Sequence, residues 1–134
     1  HIDFASDIPS CTYDCIIVTH APRISYNLSA ILGTLQRILK PGGVMLATMQ
    51  GLCPYTDRKS DSRNLYWHFT SSSAKKLFEE HFLAENIEVT CFGNVLAATS
   101  LLHGLASEDL KQRELDYSDD RYEIIFAVRA IKSS

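Results

Sequence analysis

Residues 13–51 carry two kinds of apolar pattern in succession, first that of a strand and then that of a helix. Residues 13–20 are almost continuously apolar, which is typical of a strand buried on both faces. From Ile24 onward apolar residues recur every three or four positions, which predicts an amphipathic helix. Residues 44–48 return to a strand pattern. The segment predicts one βαβ unit, with the second strand parallel to the first through a right-handed crossover.

A short run, LKPGG at residues 39–43, separates the predicted helix from the second strand. Pro41 disfavours helical geometry at Lys40 and cannot donate an amide hydrogen. The two glycines that follow tolerate a positive φ. We therefore expect the helix to end in a turn at this point.

The chain beyond residue 51 continues to alternate helices and strands. The predicted elements are a polar loop over 52–69, a helix capped by Thr70 or Ser71, a strand over 87–92, a helix over 95–103 capped by Asn94, a helical turn over 107–112 and a final strand over 122–131. A loop as long as the first is uncommon unless it binds a ligand, covers a site or is disordered. The 95–103 helix is apolar around most of its circumference, so we expect it to be covered.

Composition limits the class of protein. With 134 residues, 46% of them hydrophobic and 22% charged, residues 1–134 are expected to form a single soluble domain. A net charge of −3 gives no basic surface, so neither nucleic acid nor an anionic membrane is an expected partner. No apolar run approaches the roughly 20 residues that span a bilayer, and no signal segment is present. These features predict a cytoplasmic protein.

The four cysteines and five histidines give no metal-binding pattern. The cysteines lack CxxC spacing, and the histidines form neither an HxxxH pair nor a cluster with cysteine. We therefore expect reduced, structural cysteines and no metal site.

Several short motifs follow one another in a fixed order. They are Tyr-Asp-x-Ile-Ile at 13–17, LKPGG at 39–43, Phe-Thr at 69–70, GNVLAA at 93–98 and Leu-Asp-Tyr at 115–117. This order resembles the C-terminal half of class I S-adenosylmethionine-dependent methyltransferases of the bacterial, glycosyltransferase-associated type. The resemblance implies an α/β fold, namely a partial Rossmann-like sheet of strands four to seven in the order 4-5-7-6, with the last strand antiparallel and helices flanking it.

The resemblance also implies a cofactor and a reaction, which is transfer of a methyl group from S-adenosyl-L-methionine to a small-molecule or sugar-related acceptor. In the family a glycine-rich turn approaches the cofactor, but no glycines here form a Gly-x-Gly-x-Gly turn. The chain also begins at His1 rather than at a methionine. We expect the 134 residues alone to bind the cofactor weakly or not at all, and the native protein to be an enzyme if it includes the missing N-terminal half.

His20 is the candidate catalytic residue. Ligands of open α/β sheets bind beyond the carboxyl ends of the strands, and His20 follows the first predicted strand. Histidine suits a general base because its unperturbed pKa lies near neutrality. The alternative is a strand-end histidine that is hydrogen-bonded and inert.

The other candidate residues lie near the same predicted strand ends or correspond to positions in the family. The predicted cofactor contacts are Asp3, Phe4 and Thr19, and the predicted substrate contacts are Gln50, Trp67 and His68. Trp67 and His68 belong to a Trp-His-Phe-Thr run that resembles the family's Trp-Arg-Phe-Thr. The alternative for Trp67 is packing of the loop against the sheet.

The predicted strand at 14–19 is expected to lack the neighbour it has in a complete sheet. An open apolar strand edge favours pairing with another chain, so we expect a homodimer through this edge. Two other interpretations remain open. The chain could be a non-catalytic module that uses this edge and the 95–103 helix for contacts, or another doubly wound enzyme such as a nucleotide-binding oxidoreductase.

Overall fold

A computed structural model describes residues 7–20, 25–54 and 66–134. The elements in chain order are β1 (Tyr13–Thr19), α1 (Leu28–Ile38), β2 (Leu39–Gln50), α2 (Ser71–Glu79), β3 (Ile87–Phe92), α3 (Val95–Leu102), α4 (Gln112–Asp116) and β4 (Ile125–Ile131), with short 3₁₀ turns at Ala84–Asn86 and Ser107–Asp109. Within these described residues no helix is both long and apolar enough to cross a bilayer.

The four strands form one mixed sheet in the order β1-β2-β4-β3. β1 and β2 are parallel, and β4 runs antiparallel to both β2 and β3. The predicted fold class is confirmed, because this is the 4-5-7-6 order with the last strand reversed. β1, β2 and β3 therefore end at the same edge of the sheet, which is also the edge where β4 begins.

Helix α1 begins where Asn27 caps it. The Asn27 side chain accepts a hydrogen bond from the amide of Ala30 at 3.1 Å, which satisfies one of the free donors at the helix start. The sequence predicted a helix from Ile24 onward. That start is wrong for the described chain, because residues 25–27 are not helical, and residues 21–24 lie outside the described chain. The apolar stripe is buried as predicted, through Leu28, Ile31, Leu32, Leu35 and Ile38.

The LKPGG run belongs to β2 and contains an irregularity of the parallel pairing. Tyr13 lies opposite Leu39, whereas Cys15 lies opposite Val44, so β2 has extra residues at this point. Gly42 has the positive φ expected of this run, 74°. Its amide donates to the carbonyl of Lys132 at 2.8 Å, so the irregular stretch is anchored to the chain beyond β4.

The core lies between the sheet and the two helices α1 and α2. Side chains alternate along each strand, so one face of the sheet points at the helices. The buried sheet residues on that face are Val18, Met45, Ala47, Met49, Phe126, Val128 and Ala130, and helix α2 with the turn after it contributes Ala74, Phe78 and Phe82. The rings of Phe78 and Phe82 stack with centroids 6.1 Å apart.

Two expectations about burial are wrong. β1 is not buried on both faces, because only Val18 is buried and Ile17 is 71% exposed. α3 is not covered either, because Val95, Leu96 and Leu102 are all exposed. Apolar composition predicted burial in both cases, but the described residues cover neither Ile17 nor these three side chains of α3.

The final strand begins at Ile125, three residues later than predicted. A turn occupies the residues before it, since the amide of Tyr122 donates to the carbonyl of Asp119 at 3.0 Å. Arg121 pairs with Asp119 in the same turn, at 2.7 Å. The local polar contacts hold these residues out of the strand despite their apolar neighbours.

Candidate active site

The ends of β1 and β2 meet at His20. Its amide donates to the carbonyl of Thr48 at 3.0 Å, which continues the parallel pairing by one residue. The His20 backbone has a φ of 56°, in the left-handed region that residues other than glycine rarely adopt. The chain therefore turns sharply at His20, and such positions cluster at functional sites.

Two buried polar atoms at this point have no hydrogen-bond partner among the described residues. They are the Nδ1 of His20 and the hydroxyl oxygen of Thr48. Buried polar atoms are usually paired, because leaving one unpaired costs about 1–3 kcal/mol. Both atoms consequently retain hydrogen-bonding capacity that the described residues do not use. Thr48 was missed by the sequence analysis, because an isolated threonine in a strand has no distinguishing pattern.

The end of β2 is tied to the segment that leads into α2. The carbonyl of Gln50 accepts from the amide of Phe69 at 3.1 Å, and the His68 Nδ1 lies 3.1 Å from the carbonyl oxygen of Gly51. Because a carbonyl only accepts, the His68 Nδ1 carries the proton. The structure thus brings two predicted substrate residues, Gln50 and His68, to one strand end.

Trp67 links the same segment to the loop before α1. Its indole donates to the carbonyl of Ser25 at 2.9 Å. Its ring also packs beside Tyr26, with centroids 5.8 Å apart, and Tyr26 meets Tyr66 edge-on at 5.6 Å. Tyr26 is 72% exposed, so an aromatic surface faces solvent here. Sequence reasoning missed both tyrosines, because they lie in loops and meet Trp67 only in the folded chain.

Glu123 joins three elements at the start of α2. Its carboxylate accepts from the amide of Ser71 at 2.8 Å and from the thiol of Cys91 at 3.3 Å. Burial acts to raise the pKa of Glu123, but the hydrogen bonds from Ser71 and Cys91 lower it overall. Burial, and then the contact with Glu123, raise the pKa of Cys91. This cluster is part of the scaffold that fixes α2 against β3.

Two glycines at the strand ends pack closely against neighbouring backbone. A Cβ on Gly51 would lie 2.4 Å from the carbonyl oxygen of Glu123, and one on Gly93 would lie 2.4 Å from that of Tyr122. These glycines serve close packing of the backbone upon itself. Neither glycine therefore forms a cradle for a nucleoside cofactor, and Thr19, a predicted cofactor contact, is exposed at the end of β1. Asp3 and Phe4, the other predicted cofactor contacts, lie outside the described residues.

Within residues 7–20, 25–54 and 66–134, no group of three histidine, cysteine or acidic side chains could hold a metal ion.

The sheet order and its flanking helices match part of the class I fold of S-adenosylmethionine-dependent methyltransferases. Solved structures of such enzymes match this chain at low sequence identity. No protein-family model matches the chain, and no curated protein matches its sequence.

Three of these structures indicate the extent of the match. Phosphoethanolamine N-methyltransferase 2 of Haemonchus contortus, in complex with S-adenosyl-L-methionine, shares 14% identity over 95% of this chain and 35% of its own, with a TM-score of 0.59. The CurJ carbon methyltransferase shares 15% over 100% of this chain and 34% of its own, with a TM-score of 0.59. A methyltransferase of Archaeoglobus fulgidus shares 13% over 98% of this chain and 64% of its own, with a TM-score of 0.59. The chain thus spans about a third to two thirds of these proteins.

Proposed function

We propose that this chain is the C-terminal, acceptor-side part of a cytoplasmic S-adenosylmethionine-dependent methyltransferase of the bacterial, glycosyltransferase-associated type. The acceptor is a small molecule or a sugar-related compound. The observation that carries the proposal is the sheet order β1-β2-β4-β3 with β4 reversed. Because β1 and β2 are parallel, His20 and Gln50 lie at the same edge of this sheet. The rest of the native protein supplies the site for the methyl donor.

His20 is the base in this proposal. Methyl transfer is an in-line displacement that needs an aligned nucleophile, and a hydroxyl or ammonium acceptor must also lose a proton. The Nδ1 of His20, which has no partner among the described residues, accepts that proton, and the sharp turn at His20 holds the ring at the strand end. The Thr48 hydroxyl, which likewise has no partner in the described part of the chain, positions the acceptor or a bridging water.

The acceptor binds beside the segment that enters α2. Gln50, Trp67 and His68 contact it, and the exposed ring of Tyr26 extends the aromatic surface. Such a surface suits a flat ring or the apolar face of a sugar. Thr19 contacts the cofactor at the end of β1, and Asp3 and Phe4, which lie outside the described residues, remain cofactor contacts by the resemblance. The neighbouring structures are named for nitrogen and for carbon methylation, so this fold does not select the acceptor atom.

The test is a transfer assay on the native gene product, with S-adenosylmethionine labelled in its methyl group and a panel of small-molecule and sugar acceptors. We expect His20→Asn to lower kcat by about 10²–10⁴-fold, the usual contribution of a positioned base, while binding of the donor is retained. His103→Asn is the matched control, because His103 is exposed at the end of α3. Equal loss in both variants, or full activity of His20→Asn, refutes the assignment.

A non-catalytic interaction module is the second candidate. The exposed apolar side chains of α3 favour it, since Val95, Leu96 and Leu102 together offer a contact surface to a partner protein. Binding of S-adenosylmethionine by the native gene product would exclude a purely structural role for this domain. Binding of a partner through α3, without binding of the donor, would support the interaction module.

A further inference from the structure

A small apolar cavity lies between helix α3 and the chain that leads from α3 to β4. Its volume is about 210 Å³, and its lining includes Ala97, Leu101, Leu105, Leu110, Leu115 and Ile124. Two serines add the polar part of the lining, and none of the described lining residues is charged. An apolar cavity of about 150 Å³ stays dry and binds a molecule as large as benzene. This cavity, called the α3 cavity below, therefore has room for a short alkyl chain.

Hydrogen bonds fix the two walls of the α3 cavity relative to each other. Asn94 caps the start of α3 and also donates to the carbonyls of Glu114 and Tyr117 beside the opposite wall, both at 2.7 Å. A turn in that wall is closed locally, since the Asp109 carboxylate accepts from the amide of Ala106 at 2.9 Å. Walls held in this way resist collapse into the empty space. The cavity is thus preformed, which is typical of small-molecule sites.

The α3 cavity adjoins the end of β2. Ile124 forms part of its wall, and the carbonyl of Ile124 accepts from the amide of Gly51 at 3.0 Å. The next residue, Ile125, pairs with Gln50 across the antiparallel strands β4 and β2. Paired residues of neighbouring strands lie about 5 Å apart. The cavity wall is therefore about one strand spacing from Gln50, a residue of the proposed acceptor site.

We infer that the α3 cavity binds an alkyl group of the methyl acceptor. The inference rests on the proposed function, and it narrows the acceptor to a molecule that carries an apolar substituent beside its polar reacting end. A charged substituent is disfavoured, because the described lining offers no counter-ion to a group that leaves water. Each methylene that moves from water into an apolar site strengthens binding about fourfold. A free apolar molecule, unconnected with the reaction, is the alternative occupant.

The first measurement detects binding to the cavity independently of methyl transfer. n-Hexanol is titrated into the native gene product with carbon-13 in its leucine methyl groups, and glycerol serves as the polar comparison probe. We expect n-hexanol, but not glycerol, to shift the NMR signals of Leu101 and Leu115, because both line the cavity.

Variants assign this binding to the cavity. Ala97→Leu places a larger side chain in the cavity and should weaken n-hexanol binding at least about tenfold, since the space for several methylenes is lost. Thr99→Leu is the matched control and should bind n-hexanol normally, because Thr99 is exposed on the same helix and does not line the cavity. Leu110→Phe fills the cavity from the opposite wall and should act like Ala97→Leu. Circular dichroism checks that each variant folds.

The second measurement connects the cavity to the reaction. The native gene product receives labelled S-adenosylmethionine and acceptors in pairs that differ only in a methyl or an n-hexyl substituent. We expect the n-hexyl member to have a kcat/KM about 10- to 100-fold higher, which is less than full burial of the added methylenes gives, because Leu105 at the cavity is half exposed. Ala97→Leu should reduce this ratio to near one, whereas Thr99→Leu should preserve it.

The outcomes separate the inference from the proposed function. Methyl transfer without preference for the n-hexyl acceptor overturns the inference alone, as does n-hexanol binding that is absent from the native product or unchanged in both filling variants. A native product that binds n-hexanol but neither binds the donor nor transfers its methyl group refutes the proposed function, and it assigns the cavity to a free apolar molecule instead.

Discussion

Asn94 holds the segment between β3 and β4 together, and its substitution by aspartate tests this directly. Its side-chain oxygen accepts from the amide of Ala97 at 2.9 Å and so caps α3. Its side-chain nitrogen donates to the carbonyls of Glu114 and Tyr117, both at 2.7 Å. The side chain is 3% exposed. Asn94→Asp keeps the cap but replaces the double donor with an oxygen that faces two carbonyl oxygens.

The magnitude follows from these contacts. Each hydrogen bond lost from a buried group costs about 1–3 kcal/mol, and the negative charge at the start of α3 returns about 0.3–1 kcal/mol. Since Tyr117 is exposed and its carbonyl can recruit water, we expect Asn94→Asp to lower the free energy of unfolding by about 2–4 kcal/mol. That is a large share of the roughly 5–15 kcal/mol typical of a domain.

Urea unfolding followed by circular dichroism measures the change. Asn27→Asp is the matched control, because Asn27 caps α1 through the same side-chain oxygen at an exposed site. A charge there should leave the stability unchanged or raise it by a few tenths of a kcal/mol, about the size of the helix-dipole effect. If Asn94→Asp is as stable as Asn27→Asp, the two donated hydrogen bonds do not stabilise the fold and the reasoning is refuted.

Three further substitutions test the scaffold around the site. The pKa of Glu123 is lowered in the folded chain. The stability that its charge provides is therefore present above the pKa of the unfolded state and is lost as pH falls through the folded value. In urea unfolding, Glu123→Gln should destabilise the fold at pH 7 and have little effect near pH 3. Lys132 donates to the carbonyls of Gln36 and Leu39 at the end of α1, and Lys132→Met should cost about 1–2 kcal/mol in urea unfolding. Gly51→Ala should lower the free energy of unfolding by about 1–3 kcal/mol in the same assay, because the alanine Cβ would overlap the carbonyl oxygen of Glu123.

Local sequence patterns predicted the elements better than they predicted burial. Thr70 and Asn94 cap their helices as expected, because a cap depends on a few neighbouring residues. Sheet order was predicted through the resemblance and is confirmed. Exposure of Ile17 and of α3 could not be predicted, because burial depends on which elements cover a surface. The apolar pattern indicates only that a surface needs cover.

The candidate site shows the same limit. His20 was predicted from its place after a strand, and the left-handed backbone there adds a structural reason to keep it. The His20 Nδ1 and the Thr48 hydroxyl lack partners among the described residues, and neither fact has a sequence signal, since pairing is a property of the folded chain. Tyr26 and Tyr66 meet across about 40 residues of chain, which no local pattern encodes.

Titration calorimetry with S-adenosylmethionine, on the native gene product and on the 134-residue chain in parallel, shows which of the two binds the methyl donor. We expect binding by the native product and none detectable by the chain alone, because the space beside the described strand-end glycines is filled by backbone and no Gly-x-Gly-x-Gly turn is present in the sequence. Micromolar binding by the 134 residues alone, or no binding by a longer native product, would contradict this expectation.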